Sequence, residues 1–384
     1  MDLNENMTTI DFIASLKKMQ ISIQLANGQL KINAPKGKLT PALLNELKER
    51  KEAIIDFLIS SQKHLKSKYE SIEPVEKKDY YVLSPAQKRL FILQQMESET
   101  TSYNMPMVIP LTKGFNRQQL ETALKALIDR HESLRTSFTV IEDEPVQRVH
   151  DEVDFKITDI DSDSSGNIIK SLMRPFDLSQ APLLRVVLIR VEPSKSMLFV
   201  DTHHIINDGV SHTILARELT ELSTGNELLP LRLQYKDYAE WFNSEAQQAQ
   251  IKQQALYWQE RFAGDIPVLN LPTDYLRPVV QSFEGSSLRF VLAEIGTRGI
   301  KSLASTGEAT LYMSILSIFT ILLSRLSGQE DIIVGTPTAG RRHADLEHII
   351  GMFVNTLALR NFPCGWKSFY DFLREVKEST LEAF

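Results

Sequence analysis

The strongest constraint on the fold lies in residues 183–222. Two β-rich apolar runs, 183–191 and 197–202, flank a Glu192-Pro193-Ser194 turn and read as core strands. The second run feeds directly into His203-His204, then Ile205-Ile206-Asn207-Asp208-Gly209. A helical pattern follows over 211–222, with Leu215, Leu219 and Leu222 on one face. A core strand that empties into a polar loop and then a helix defines an α/β protein. The C-terminal end of such a strand is where these folds place reacting groups.

The residue types at that strand end carry chemistry. Histidine titrates near neutral pH and can both accept and donate a proton. Asp208, just ahead of a helix, can cap it or enter an ion pair. Gly209 permits a close backbone approach and an unshielded N–H. From the residues alone three readings stand: a general-base site, a pair of satisfied core or loop histidines, or a metal site. The metal reading lacks a third ligand nearby.

The rest of the chain narrows the class. At roughly 100–200 residues per domain, 384 residues give two or three domains. A net charge of -6 with both signs interspersed argues against a nucleic-acid partner, which needs a basic surface. The single cysteine, Cys364, excludes an intrachain disulfide and a thiolate metal cage. Asp2 and Glu5 near the start, with no apolar run, argue against a secretory signal. The longest apolar run, 311–326, is interrupted by Ser314, Ser317, Thr320, Ser324 and Arg325. It reads as a buried core helix followed by a strand over 331–336, since a membrane span wants about 20 mostly apolar residues. The expected setting is the cytoplasm, without membrane association.

Residues 1–62 read as a separate unit. A short helix is expected over 9–19. Ile21, Ile23 and Leu25, then Leu30 and Ile32, alternate on either side of Asn27-Gly28, which predicts a β-hairpin. Thr40-Pro41 opens a second helix, with Leu43, Leu44, Leu47, Ile54, Ile55 and Leu58 as its apolar face. Residues 63–79 are polar and Lys/Glu-rich and read as a linker. Beyond them, 117–131 reads as a helix with Leu120, Leu124 and Leu127 on one face.

His203-His204 followed by Asp208-Gly209 resembles the His-His-x-x-x-Asp-Gly signature of condensation domains of non-ribosomal peptide synthetases and of the wider carrier- and CoA-dependent acyltransferase superfamily. Other segments resemble further condensation-domain motifs in the family's order: Ser84-Pro85-Ala86-Gln87-Lys88-Arg89, Arg130-His131-Glu132-Ser133-Leu134-Arg135-Thr136-Ser137-Phe138, Tyr235-Lys236-Asp237-Tyr238-Ala239-Glu240-Trp241, Gly335-Thr336-Pro337-Thr338-Ala339-Gly340-Arg341 and Ile350-Gly351-Met352-Phe353-Val354-Asn355-Thr356. The N-terminal unit resembles tubulysin-type docking domains, the alternative being a structural extension.

The resemblance implies an α/β (α+β) fold of two chloramphenicol-acetyltransferase-like lobes, 80–264 and 265–384, preceded by a small α/β docking domain. The family continues past Phe384 with a His-x-Asp-Tyr-Pro-like segment and further strands, which implies a truncated second lobe. The implied reaction is attack of a carrier-bound aminoacyl amine on an upstream carrier-bound acyl or peptidyl thioester. His204 is then expected to hold the amine and take its proton. His203 is the neighbouring candidate, with packing or loop orientation as its expected part, and Gly209 a candidate N–H donor. Asp208 is expected in a structural ion pair with Arg341, or with Arg135 as the runner-up. Asn355 and Ser211 are expected at the substrate tunnel. Tyr235, Tyr238 and Trp241 are expected to pack. Lys31, Lys36 and Lys38 around the hairpin are candidates to meet an acidic upstream tail.

No bound cofactor or metal is expected. Phosphopantetheine arms belong to the donor and acceptor carrier proteins, which together with the C-terminal tail of an upstream synthetase subunit are the implied partners. Asp208-Gly209-Val210-Ser211 resembles domains that take an L-configured donor. Rival readings are an epimerisation domain, an acyltransferase using free CoA, and a non-catalytic docking and carrier-binding fragment.

Overall fold

A computed structural model describes residues 22–26, 29–33, 71–111, 114–161, 165–192, 195–279 and 285–384, together with 43, 46, 47, 50, 51, 54 and 55. The helix expected over 9–19, Ile21, the Asn27-Gly28 turn itself, the Thr40-Pro41 helix start, Leu44, Leu58, Lys36, Lys38, residues 63–70 and Pro193-Ser194 lie outside the described residues. The chain divides into two compact units, 1–71 and 72–384.

In the first unit, β1 (Ser22–Ala26) and β2 (Gln29–Asn33) pair antiparallel with Ala26 opposite Gln29. Two residues connect them, the length an Asn-Gly hairpin requires. Lys31 lies on β2 opposite Gln24. In the segment after the hairpin, Leu43, Leu47 and Ile54 are buried, the spacing of one helical face.

The second unit starts earlier than the polar composition of 63–79 implies. Ile72 is fully buried in the main core, and the Val75 N–H donates to Asp237 Oδ1 at 2.9 Å. One apolar side chain and one buried acceptor order what charge alone marks as linker. The elements follow as β3 (Tyr81–Val82), α1 (Pro85–Met96), β4 (Asn104–Leu111), α2 (Arg117–Arg130), β5 (Thr136–Ile141), β6 (Glu144–Val149), β7 (Thr158–Asp161), α3 (Ser165–Leu172), β8 (Leu184–Glu192) and β9 (Lys195–His203). After a 3₁₀ turn at His204–Ile206 come α4 (Gly209–Ser223), α5 (Tyr235–Phe242), α6 (Glu245–Arg261), α7 (Glu294–Thr306), α8 (Leu311–Ser327), β10 (Ile332–Thr338), β11 (Asn355–Asn361) and α9 (Phe369–Ala383).

The main sheet runs β4-β9-β8-β7, antiparallel except for the parallel pair β7–β8. Leu184, Val186, Leu188, Leu198 and Val200 join α2 and α4 in the main core. Val187, Ile189 and Phe199, on the other face, join Ile168, Ile169 and Leu172 of α3. Burial on both faces explains why these strands read as continuous apolar runs and not as alternation. A second sheet runs β3-β6-β5, and among the described residues β10 pairs with β11 alone.

Around β10–β11, Leu316, Leu357, Leu359, Phe372 and Val376 make a small separate cluster. The helix α8 departs from the buried core helix expected over 311–326. Ser314, Ser317 and Thr320 lie on its buried face, whereas Ile315, Phe319 and Leu322 are exposed. The buried hydroxyls of Ser314 and Ser317 donate to carbonyls one turn back, which satisfies them within the helix. Among the described residues no single helix is long and apolar enough to cross a membrane.

Candidate active site

Strand β9 places its side chains on alternate faces, so Thr202 points to α4 while Asp201 and His203 point away from it. His203 is the last residue of the strand, and its N–H donates to the Leu183 carbonyl at 3.1 Å. Its ring is buried and fully used. Nδ1 accepts the Ile205 N–H at 3.1 Å, which leaves Nε2 to carry the proton toward Gln94 Oε1 at 3.2 Å. Burial first, then the nearby charges of His204 and Arg185, push its pKa down to about 3. A neutral ring with both nitrogens bonded inside the fold is a poor proton carrier. His203 thus has both ring nitrogens committed to the loop's framework.

His204 differs in the one respect that matters. It is half-buried, and its Nδ1 lies 2.8 Å from the Asn207 carbonyl oxygen. A carbonyl only accepts, so Nδ1 carries the hydrogen and the neutral ring presents the lone pair of Nε2. The backbone N–H of His204 is held by the Tyr103 carbonyl at 2.8 Å. Chemically this is an oriented proton acceptor.

Asp208 is fully buried and caps α4, its Oδ1 accepting the Ser211 N–H at 2.7 Å. The same oxygen lies 3.3 Å from Arg341 Nη2, and Oδ2 accepts the Phe353 N–H at 3.0 Å. Arg341 Nη1 donates to the carbonyls of Leu346 (2.6 Å) and Ile349 (2.7 Å), and its guanidinium sits 4.0 Å over the Phe353 ring. The structure therefore brings Arg341 to Asp208. Arg135 is elsewhere, donating to the His150 carbonyl beside Glu132.

Ser211 is a correction to the expected tunnel position. It is fully buried, its hydroxyl donates to the Gly351 carbonyl at 2.9 Å, and it accepts from Arg341 Nη2 at 2.8 Å and from the Gly351 N–H at 3.1 Å. No lone pair or proton is left for a substrate, so Ser211 ties α4 to the segment 341–354. Gly351 itself must lack a side chain, since a Cβ there would lie 1.8 Å from Tyr235 Cδ2. Asn355 opens β11 opposite Thr338, is exposed, and accepts the Thr356 N–H at 2.9 Å. Gly209 is exposed at the first position of α4, with open space where a Cβ would stand. Helix starts leave their first N–H groups unpaired, so a donor is available there.

Tyr235 and Tyr238 are buried and pack on Phe353, with ring centroids 4.9 and 4.7 Å away. The Tyr235 hydroxyl donates to the Met352 carbonyl at 2.5 Å and accepts from Ser84 Oγ at 2.7 Å. Ser84 in turn caps α1 in a reciprocal pair with Gln87. Trp241 is half-buried and joins the Tyr238 cluster. Three contributors were not singled out in the sequence. They are Gln94, the Asn207 carbonyl and the Phe353 N–H. Two of the three are backbone groups, which carry no residue-type signal.

The chain belongs to the condensation domain family, which it matches over residues 77–384. Residues 10–59 match the TubC N-terminal docking domain. Bacitracin synthase 2 of Bacillus licheniformis is 44% identical over 99% of this chain, which spans 15% of that protein's length. Tyrocidine synthase 3 of Brevibacillus parabrevis is 50% identical over 83% of this chain, which spans 5% of its length. The X-domain from teicoplanin biosynthesis superposes with a TM-score of 0.74 at 24% identity, covering 82% of this chain and 72% of that one. The first condensation domain of the calcium-dependent antibiotic synthetase gives 0.65 at 19% identity, covering 79% of this chain and 74% of that one.

Proposed function

We propose that this chain forms an amide bond between an upstream acyl or peptidyl thioester and a downstream aminoacyl thioester, both delivered on phosphopantetheine arms of carrier proteins. The observation that carries this reading is the His204 ring, oriented by the Asn207 carbonyl with Nε2 left as the acceptor. The amine nitrogen attacks the thioester carbonyl carbon, the C–S bond breaks, and the departing thiolate takes up, from His204, the proton given by the amine, so that the donor arm leaves as a thiol. An α-amine titrates near 7.7–8.0, so a usable fraction is already neutral. The work of His204 is then to hold the amine in line and to take its proton as the tetrahedral intermediate forms. In this reading the Gly209 N–H, at the positive end of α4, meets the developing oxyanion. Asp208 and Arg341 keep α4 and the segment 341–354 in register and do not exchange protons with substrate.

Residues 1–62 dock the C-terminal tail of an upstream subunit, with Lys31, Lys36 and Lys38 meeting its acidic groups. The match of residues 10–59 to a docking domain supports this. Amide product measured with donor- and acceptor-loaded carriers tests the reaction. His204→Ala is expected to lose on the order of 10²–10⁴ in turnover. Near-wild-type turnover in that variant removes the proton-accepting role. Carrier binding without product from the wild-type chain leaves a binding module instead.

A further inference from the structure

On the face of the main sheet away from α4 lies a charged cluster that the reaction does not use. Arg185 on β8 stands opposite Asp201 on β9, with Nη1 3.1 Å from Asp201 Oδ2. The same guanidinium donates to the Arg174 carbonyl at 2.6 Å and to the Pro175 carbonyl, and lies 3.6 Å over the Phe176 ring. Phe176 is buried and meets the His203 ring edge-on, at 6.1 Å between centroids and 85° between planes. Asn104, the cross-strand partner of His203, donates to Asp201 Oδ2 at 2.7 Å and to the Arg174 carbonyl at 3.0 Å.

We propose that Arg185, anchored by Asp201, is a positioning residue for His204. The contacts form a continuous chain. Asp201 orients the guanidinium, the guanidinium clamps residues 174–176, and Phe176 walls in His203. His203 Nδ1 then accepts the Ile205 N–H, which sets the 3₁₀ turn that carries His204. Only a planar guanidinium can bond two carbonyls and a carboxylate while stacking on a ring; an ammonium cannot. Asp201 is fully buried, and burial pushes its carboxyl up to about 6. A charge kept there against desolvation is an expensive way to gain stability, but it does give Arg185 a single direction.

The inference rests on the reading of His204 as proton acceptor, so its test has a readout independent of turnover. Arg185→Lys keeps the charge and loses the fork and the stack. In the full chain with ¹⁵N-labelled histidine, wild-type His204 is expected to show the Nδ1–H tautomer. Arg185→Lys is expected to show a tautomer mixture, with turnover on loaded carriers down on the order of ten- to a hundredfold and both carrier KM values unchanged. A folded Arg185→Lys chain with wild-type tautomer and turnover overturns the inference, as does a raised KM with turnover intact. Phe176→Leu removes the ring between Arg185 and His203 at similar volume and decides the matter if Arg185→Lys does not fold. A wild-type His204 tautomer in Phe176→Leu overturns it. A tautomer shift in either variant, alongside full activity of His204→Ala, leaves the positioning standing and sinks only the proton-accepting role.

Discussion

Two apolar stretches, 183–202 and 311–326, look alike as composition and end in different environments. The first becomes β8 and β9, covered by helices on one face and by α3 on the other. The second becomes α8, which buries Met313, Leu316, Leu323 and three hydroxyl residues and exposes Ile315, Phe319 and Leu322. Apolar density therefore does not decide burial. The number of layers that arrive to cover an element does. The segment 341–354 follows the same rule, since Leu346, Ile349, Ile350, Met352 and Phe353 pack in the main core, apart from the cluster of β11 and α9.

That contrast can be broken by measurement. The largest effect is expected at the tie between α4 and 341–354. Asp208→Ala leaves the buried Arg341 guanidinium without its carboxylate and the Phe353 N–H without its acceptor, a loss of about 3–5 kcal/mol. Equilibrium denaturation checks it, and a well-folded but inactive variant of undiminished stability would move Asp208 from structure to chemistry. Next, Leu188→Ala in the doubly covered sheet is expected to cost about 2–5 kcal/mol by the cavity it leaves.

A pH series sharpens the comparison further. The carboxyl of Asp201, raised to about 6 from 3.8, holds its proton more tightly in the folded chain, so its charge costs stability above that pH and the cost vanishes as pH falls to 3.8. It is faced by Arg185 from β8 and Asn104 from β4, with His203 and His204 beyond it on its own segment. His203, pushed down from 6.5 to about 3, acts oppositely: the unfolded chain takes that proton first, and stability falls through this window as pH drops. Between pH 6 and 4 the two slopes, each about 1.4 kcal/mol per pH unit, nearly cancel. Asp201→Asn removes the first slope. That variant should lose about 1.4 kcal/mol per pH unit relative to wild type over the same range. Denaturant midpoints at pH 6, 5 and 4 decide, and parallel trends for the two chains refute it. The smallest effect is expected on the exposed face of α8, where Leu322→Ala should stay within about 0.5 kcal/mol. A loss equal to that of Leu188→Ala would erase the contrast between the two stretches.

Much of this was legible locally. Asn27-Gly28 between alternating residues predicted a two-residue hairpin, and Ala26 does oppose Gln29. Leu120, Leu124 and Leu127 predicted α2, which spans Arg117–Arg130. The His-His pair and Asp208 marked the strand end. A hydroxyl in the first turn of a helix carries no sign of its partner, and for Ser211 that partner, Gly351, is 140 residues away. Likewise the Phe353 N–H on Asp208 and Gln94 on His203 come from 145 and 109 residues off, and no periodicity reports them.

Short-range sterics and side-chain period determined, from the sequence by itself, which stretches become strands and helices and where the polar strand end falls. Only tertiary structure supplied the groups that each ring of the His pair bonds. A histidine's proton-accepting nitrogen is defined by what its other nitrogen bonds. For His203 the second partner, Gln94, arrives from a distant helix, whereas for His204 no group among the described residues bonds Nε2.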